Sequence, residues 1–406
     1  MPAVEDSQET IVASHLTRDP ALARLLLLVA VLFLSYLCVA IPLPLVPILV
    51  TERLGLDNVW AGLGVGSAFL ATIVTRGQAG GLADRRGAKV AVGRGLAFYA
   101  AGAALSLAAG LPLYGPLPAF AVLLAGRLLL GLGESLVGVG VIAWGIGLVG
   151  PARSGRVLAL IGAAIYGALA LGGPLGLALF ERLGFAGAMA VAALLPCLGL
   201  LAILPLAGVA AHPEARRASF LEVLGRIRWH GAVVCLQGVG FAAIAAFFVL
   251  YFRDRGWSDA GLGFTAFGGG FVLVRLLFGH LPDRVGGLPV AIGSLAVEAA
   301  GQFLIWGAGD PQLALLGAFM TGLGCSMIFP AMGREVVHLV APQLRGTALG
   351  GFSAFQDLAY GLTGPLAGFL ADGAGYGSVF LVGGLAASAG FLVTLLLRGR
   401  QRALAR

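Results

Sequence analysis

Apolar stretches of about twenty residues recur from one end of this chain to the other, each long enough to cross a hydrocarbon core about 30 Å thick. Of the 406 residues, 59% are hydrophobic and 11% charged, whereas soluble domains carry about 25% charged residues. Mean hydropathy is +0.97. A water-soluble fold could not hide that much apolar surface. The sequence therefore reads as an all-α polytopic membrane protein, with no room between spans for a large soluble catalytic domain.

Breaks at Gly, Pro and charge divide the chain into twelve expected transmembrane helices, in two pseudo-symmetric bundles of six. The first bundle has spans near 25–50, 59–79, 90–111, 117–149, 157–179 and 185–206, the second near 230–251, 260–279, 288–307, 313–340, 347–370 and 377–397. The expected organisation is a cytoplasmic tail over 1–24, a bundle over 25–206, a cytoplasmic linker over 207–229, a bundle over 230–397 and a tail over 398–406. The first 24 residues are polar and partly acidic (Glu5, Asp6, Glu9, Asp19), and the apolar run after them is too long for a signal-peptide core. The first helix is expected to stay in the mature protein. The linker, with His212, Pro213, Glu214, Arg216 and Arg217, reads as a plain connector.

The net charge is +7, and 25 of the 26 basic residues are Arg, Lys89 being the exception. None forms a basic run with interleaved aromatics, so no nucleic-acid partner is expected. With both termini inside, the inner loops and tails hold 17 basic residues against four outside (Arg53, Arg182, Arg253, Arg255). That asymmetry places both termini in the cytoplasm. Arg in place of Lys, with 65 Gly, suggests a GC-rich bacterial genome, hence a bacterial inner membrane. Cys38, Cys197, Cys235 and Cys325 lie in apolar spans without metal-ligand spacing or a disulfide framework. No metal or cofactor is expected.

A shift of 199 residues lays 61–87 on 260–286 with ten identities in twenty-seven positions, among them Arg76 on Arg275, Gly80 on Gly279, Asp84 on Asp283, Arg85 on Arg284 and Gly87 on Gly286. A shift of 191 brings Gly173-Pro174 onto Gly364-Pro365. Parallel six-span repeats, with a binding site between them near mid-membrane, are one architecture of secondary transporters.

The segment from Gly80 to Lys89 resembles the signature loop of the major facilitator superfamily, and Gly279 to Gly286 is its echo. Arg127 within Gly126 to Gly133 resembles the superfamily's fourth-helix motif, and Gly172-Gly-Pro174-Leu-Gly176 matches part of the exporters' fifth-helix motif, with a departure in glycine spacing upstream. Tyr36 to Pro47, Trp60 to Leu63, Trp144 to Gly147, Phe329 to Gly333 and Asp357 to Gly368 are similar to the YhhS-type branch of bacterial transporters. The resemblance covers nearly the whole chain. It implies small-molecule export by alternating access, with the signature loop latching the two halves together.

In the signature loops, Gly80, Gly87, Gly279 and Gly286 allow a tight turn and close helix approach. Asp84 and Asp283 suit a neighbouring helix N-terminus, while Arg85, Arg284 and Lys89 suit lipid headgroups. A turn that only sets topology is the alternative. Within spans, each charge costs about 2.5–3.5 kcal/mol on the insertion scale, so Glu134, Glu298 and Asp357 are candidates for proton coupling. Arg127 shares a face with Glu134, about 10 Å away, and joins Tyr36, Trp144, Tyr166, Gln237 and Gln356 as a candidate for lining the substrate cavity. Alternatively, each acid is fastened to an Arg such as Arg127 or Arg275. Arg76 and Arg94, near helix ends, read as gates or anchors that snorkel. Pro42, Pro44 and Pro47 break helix one, and Gly173-Pro174 and Gly364-Pro365 mark bends that could rock.

The expected function is proton-coupled export of a small organic molecule by a monomer surrounded by lipid. A uniporter or symporter is the alternative within transport. An intramembrane enzyme lacks a paired metal site or a Walker-type loop, and a receptor lacks any sensor domain.

Overall fold

The computed structural model describes residues 20–150, 153–209, 220–341 and 344–404. Residues 1–19, with the acidic positions of the N-terminal tail, and 210–219, with His212 to Arg217, lie outside the described residues. Every described element is a helix: α1 Pro20–Ala40, α2 Pro42–Ile48 with a π-helical turn over Leu49–Arg53, α3 Asn58–Arg86, α4 Ala88–Ala109, α5 Pro116–Val149, α6 Ser154–Ile203, α7 Phe220–Asp254, α8 Leu262–Phe278, α9 Leu281–Val285, α10 Gly287–Trp306, α11 Pro311–His338, α12 Arg345–Ala374 and α13 Gly377–Leu404. A chain this apolar closes its backbone hydrogen bonds within each segment, because the hydrocarbon offers no partners.

Among the described residues, nine helices are long and apolar enough to cross a membrane, α1 running on through α2 as one span. One of the nine, α6, contains two arms meeting at Gly184, whose φ of 68° interrupts the helix. The sequence suggested a gap near 180–184; a single left-handed glycine makes the break instead. Counting those arms separately, and adding the shorter α8 and the more polar α12, gives twelve long rods.

The sequence repeat is visible in the contacts. Ser135 Oγ donates to the Thr72 carbonyl at 3.0 Å, and Ser326 Oγ donates to the Phe271 carbonyl at 2.7 Å, the two bonds being related by the shifts of 191 and 199. Gly102 lies against the Gly126 carbonyl as Gly301 lies against that of Gly317. Small residues at such crossings let the backbones approach, which is how helices associate where lipid removes the hydrophobic drive.

Two seams join the halves. In one, α3 meets α12, with Gly62 facing the Gly364 carbonyl and Gly66 that of Gly361. In the other, the first arm of α6 meets α8, where Gly268 faces Ala170 and Thr265 Oγ1 donates to the Ala170 carbonyl at 3.0 Å. At the end carrying residues 54–57 and 375–376, Asn58 Nδ2 donates to Asp372 Oδ1 at 2.7 Å, Tyr376 donates to Asn58, and Arg253 pairs with Glu52. The Gly-Pro pairs thus sit at the crossings, and both helices run on through them without non-helical backbone angles there. Pro42 and Pro44 are buried, where Gly172 and Gly176 press on Ala40 and the Ile41 carbonyl. This stretch packs against α6.

The seams yield a test of packing. Gly62→Ala and Gly364→Ala should each lower the apparent melting temperature in detergent, corresponding to about 1–3 kcal/mol of overpacking. Gly80→Ala, where an added Cβ meets nothing within 4 Å, should leave it unchanged. Equal responses at 62 and 80 would contradict the close approach.

Candidate functional site

A charged cluster lies where α3 and α12 meet below their glycine crossing. Asp357 of α12 accepts from Arg76 of α3, with Nη2 at 2.6 Å and Nε at 2.8 Å. This ion pair ties the two halves together. Beside it, Glu134 of α5 accepts from the Tyr36 hydroxyl of α1 at 3.1 Å on Oε1, and its Oε2 has no hydrogen-bond partner. Asp357, Arg76 and Arg127 are within electrostatic range of Glu134. Two carboxylates and one closely paired guanidinium therefore share a site assembled from four helices.

The other seam has different chemistry. Arg275 of α8, the repeat mate of Arg76, donates Nη2 to the Ser326 carbonyl at 2.8 Å and sits 5.1 Å from the Phe271 ring centre. Tyr166 of α6 stacks on Phe271 with centroids 3.3 Å apart and planes 18° apart. From there a run of rings crosses between the seams: Phe271 to Phe267 at 6.2 Å, Phe267 to Phe241 at 5.3 Å, Phe241 to Tyr360 at 4.7 Å and Tyr360 to Phe69 at 5.1 Å. Gln356 Nε2 donates to the Tyr360 hydroxyl at 2.9 Å.

Glu298 stands apart from both seams, inside the second half. It is fully buried on α10 against Gly240 of α7, and neither of its carboxylate oxygens has a geometric hydrogen-bond partner. Gln302, one turn on, donates Nε2 to the Gly240 carbonyl at 3.3 Å and to Thr321 Oγ1 at 3.2 Å. The Cys325 thiol adjoins Glu298 and Gln237. An unpaired charge in such a place is expensive.

Other expected site residues take structural positions. Arg127 is fully buried and donates Nε to the Gly64 carbonyl at 3.0 Å and Nη2 to that of Val65 at 3.3 Å. It pins α5 to α3, because side-chain-free Gly64 leaves those carbonyls open and Gly131 lets the helices close. Trp144, also fully buried, donates to the Ala207 carbonyl at 3.1 Å. Lys89 Nζ donates to the carbonyls of Leu204 and Leu206, at 2.9 and 2.6 Å, capping the end of α6.

Among the described residues, the bonds of Arg85, Lys89 and Asp283 stay within their own halves. Among the described residues, Asp84 makes no hydrogen bond or ion pair, Arg85 bonds its own Gly81 carbonyl, and Asp283 approaches Arg334 of its own half at 3.8 Å. The seams close toward the opposite end of the rods. Gly87 and Gly286 do need glycine, with φ of 90° and 93°; Gly80 and Gly279 do not share that backbone. The N-terminus of α10 is capped by Glu335, which accepts from the Gly287 N–H at 2.9 Å and also meets Arg334.

Arg76, expected from the sequence to act as a gate or an anchor, reaches across the seam to Asp357. The signal available was its recurrence as Arg275, an Arg retained at membrane depth in both repeats.

A double-mutant cycle tests the cross-seam pair. Arg76→Gln and Asp357→Asn should each destabilise the protein in detergent, and together should recover part of the loss, with a coupling of about 0.5–3 kcal/mol. Strict additivity would remove the pair from the site. Glu298→Gln, uncharged and of the same shape, should fold with unchanged yield, while Glu298→Lys should not fold; wild-type yield from the Lys variant would show that the pocket tolerates charge.

The family model of the Major Facilitator Superfamily matches residues 28–261 and 231–406. An uncharacterized MFS-type transporter of Salmonella typhimurium is 43% identical over 383 residues, covering 94% of this chain and 98% of that protein. One of Burkholderia mallei is 43% identical over 376 residues, covering 91% and 90%. Among solved structures, the nucleoside transporter NupG, in a mutant form, superposes with a TM-score of 0.73 at 16% identity, covering 92% of this chain and 99% of that one. The human organic anion transporter MFSD10 (TETRAN) does so with a TM-score of 0.68 at 17% identity, covering 93% and 100%. At those identities the structural likeness speaks for the fold alone; with the family model and the relatives, it establishes that this chain belongs to the major facilitator superfamily of membrane transporters.

Proposed function

We propose that this transporter exports a small organic molecule in exchange for protons, by alternating access. In this reading both termini face the cytoplasm of a bacterial inner membrane, and residues 25–206 and 230–397 rock as two bodies joined by the linker 207–229. The end held by Asn58, Asp372, Glu52 and Arg253 then faces outward, so the conformation seen opens inward.

The observation that carries the reading is the Arg76–Asp357 pair across the seam, with Glu134 beside it. Rocking must separate α3 from α12 and break that pair. Removing one partner from a buried ion pair costs about 3–5 kcal/mol, and Arg76, with 30% of its side chain exposed, lies toward the low end of that cost. A proton on Asp357 removes the acid's share of the cost, and Arg76 is left free to turn toward Glu134. Proton binding thereby favours one access state, which is the coupling that exchange requires. The partial exporter motif at Gly172 to Gly176 supports the outward direction.

Everted membrane vesicles holding an acid interior and a pH-quenched dye test this. Adding sugars, organic acids, amino-acid derivatives and lipophilic drugs in turn should give compound-dependent dequenching in the wild type. Asp357→Asn and Glu134→Gln should lose it while keeping tracer equilibration. Compound flux without dequenching would overturn proton coupling and favour a uniporter whose acids only fasten helices.

A further inference from the structure

The repeat sets two arginines in equivalent places but gives only one of them an acid. A shift of 199 takes Arg76 to Arg275, and a shift of 191 takes Tyr166 to Asp357. The contacts obey the same arithmetic: Arg76 reaches across its seam to Asp357, and Arg275 reaches across the other, its Nη1 2.9 Å from where a Cβ of Gly162 would stand, beside Tyr166. Where the first seam holds a carboxylate, the second holds a phenol. Where Thr72 stands in the first, Phe271 stands in the second.

Arg275 is consequently a cation without a counterion. Among the described residues it makes no salt bridge, and Tyr166 is the titratable group that interacts with it electrostatically. Its protein hydrogen bond is to the Ser326 carbonyl, which leaves most of the five N–H donors of a guanidinium unspent. A half-buried guanidinium at membrane depth is costly when uncompensated. It lies at the seam between the two halves, with apolar ring surface from Phe271 and Tyr166 next to it.

We infer that Arg275, Tyr166 and Phe271 form an anion-binding subsite of the transport pathway, which takes an organic carboxylate, sulfonate or phosphate whose apolar body lies against the rings. The inference rests on the transport reading above and names the substrate class for it. The guanidinium offers the planar fork that such groups accept in pairs. The bound anion supplies to the second seam the charge that Asp357 supplies to the first, so a loaded carrier has both arginines neutralised. An anionic lipid headgroup offers the same phosphate chemistry, and the experiment below separates it from a soluble substrate.

The full-length protein in phosphatidylcholine nanodiscs is to be melted with benzoate, benzenesulfonate or phenyl phosphate, and with the matched benzamide, benzenesulfonamide and benzylamine. The anions should raise the melting temperature and their neutral or cationic partners should not. Arg275→Gln should weaken anion binding about tenfold to a hundredfold, the loss of one charge-assisted contact. Tyr166→Asp, which gives Arg275 the counterion its mate already has, should fold and should lose the anion response. Equal shifts from neutral and anionic members, shifts unchanged in both variants, or no shift from any anion would each overturn the proposal. So would Arg275-dependent stabilisation by phosphatidylglycerol without any response to the soluble anions, which would give the site to lipid. Tracer flux in proteoliposomes keeps the two readings apart. Carriage of benzylamine or benzamide without the anions removes the anion class and leaves a transporter; anion flux without proton movement removes the coupling and leaves the subsite.

Discussion

A guanidinium and a carboxylate set among apolar helices have few partners but each other, and the pairing of Arg76 with Asp357 ties the two halves of this molecule together. The pair is built from opposite halves, so its integrity depends on the seam being shut. The seam shuts because Gly62, Gly66, Gly361 and Gly364 carry no side chains to hold α3 and α12 apart. Backbone proximity therefore sets the electrostatics. The same dependence holds for Glu134, whose position follows from Arg127 pinning α5 to the Gly64 and Val65 carbonyls two turns away.

Much of this was legible in the sequence. Apolar runs give the rods, and the repeat gives their pairing; Ser135 with Thr72 and Ser326 with Phe271 are that repeat written as hydrogen bonds. What stayed hidden is the direction in which long side chains point. Lys89, Arg127 and Trp144 each end on backbone carbonyls, and composition does not reveal which carbonyls a glycine or a helix end has left open. The partner of Arg76 was hidden for the same reason, since an arginine can reach one turn either way along its helix. The three acids looked alike as isolated charges in apolar runs, yet two face a seam and Glu298 faces Gly240 inside a bundle. Only tertiary packing separates those environments.

Repetition with divergence is the second theme. The backbone of the two seams has stayed close enough for glycine to meet carbonyl at matched positions, while the side chains have parted: an ion pair on one side, stacked rings and a lone guanidinium on the other. The run of rings from Phe69 to Tyr166 links the unequal sides.

The mooring of the chain just after α6 has a mechanical consequence. Trp144 holds the Ala207 carbonyl, Lys89 holds those of Leu204 and Leu206, and Val209 lies against Gly147, so the first half keeps its grip on the segment before it leaves. From Val209 to the start of α7 at Phe220, a leash of that length reaches at most about 35–40 Å even when taut. With that end moored, the segment before Val209 lends no slack, and the separation of Val209 from Phe220 is bounded by the residues between them alone.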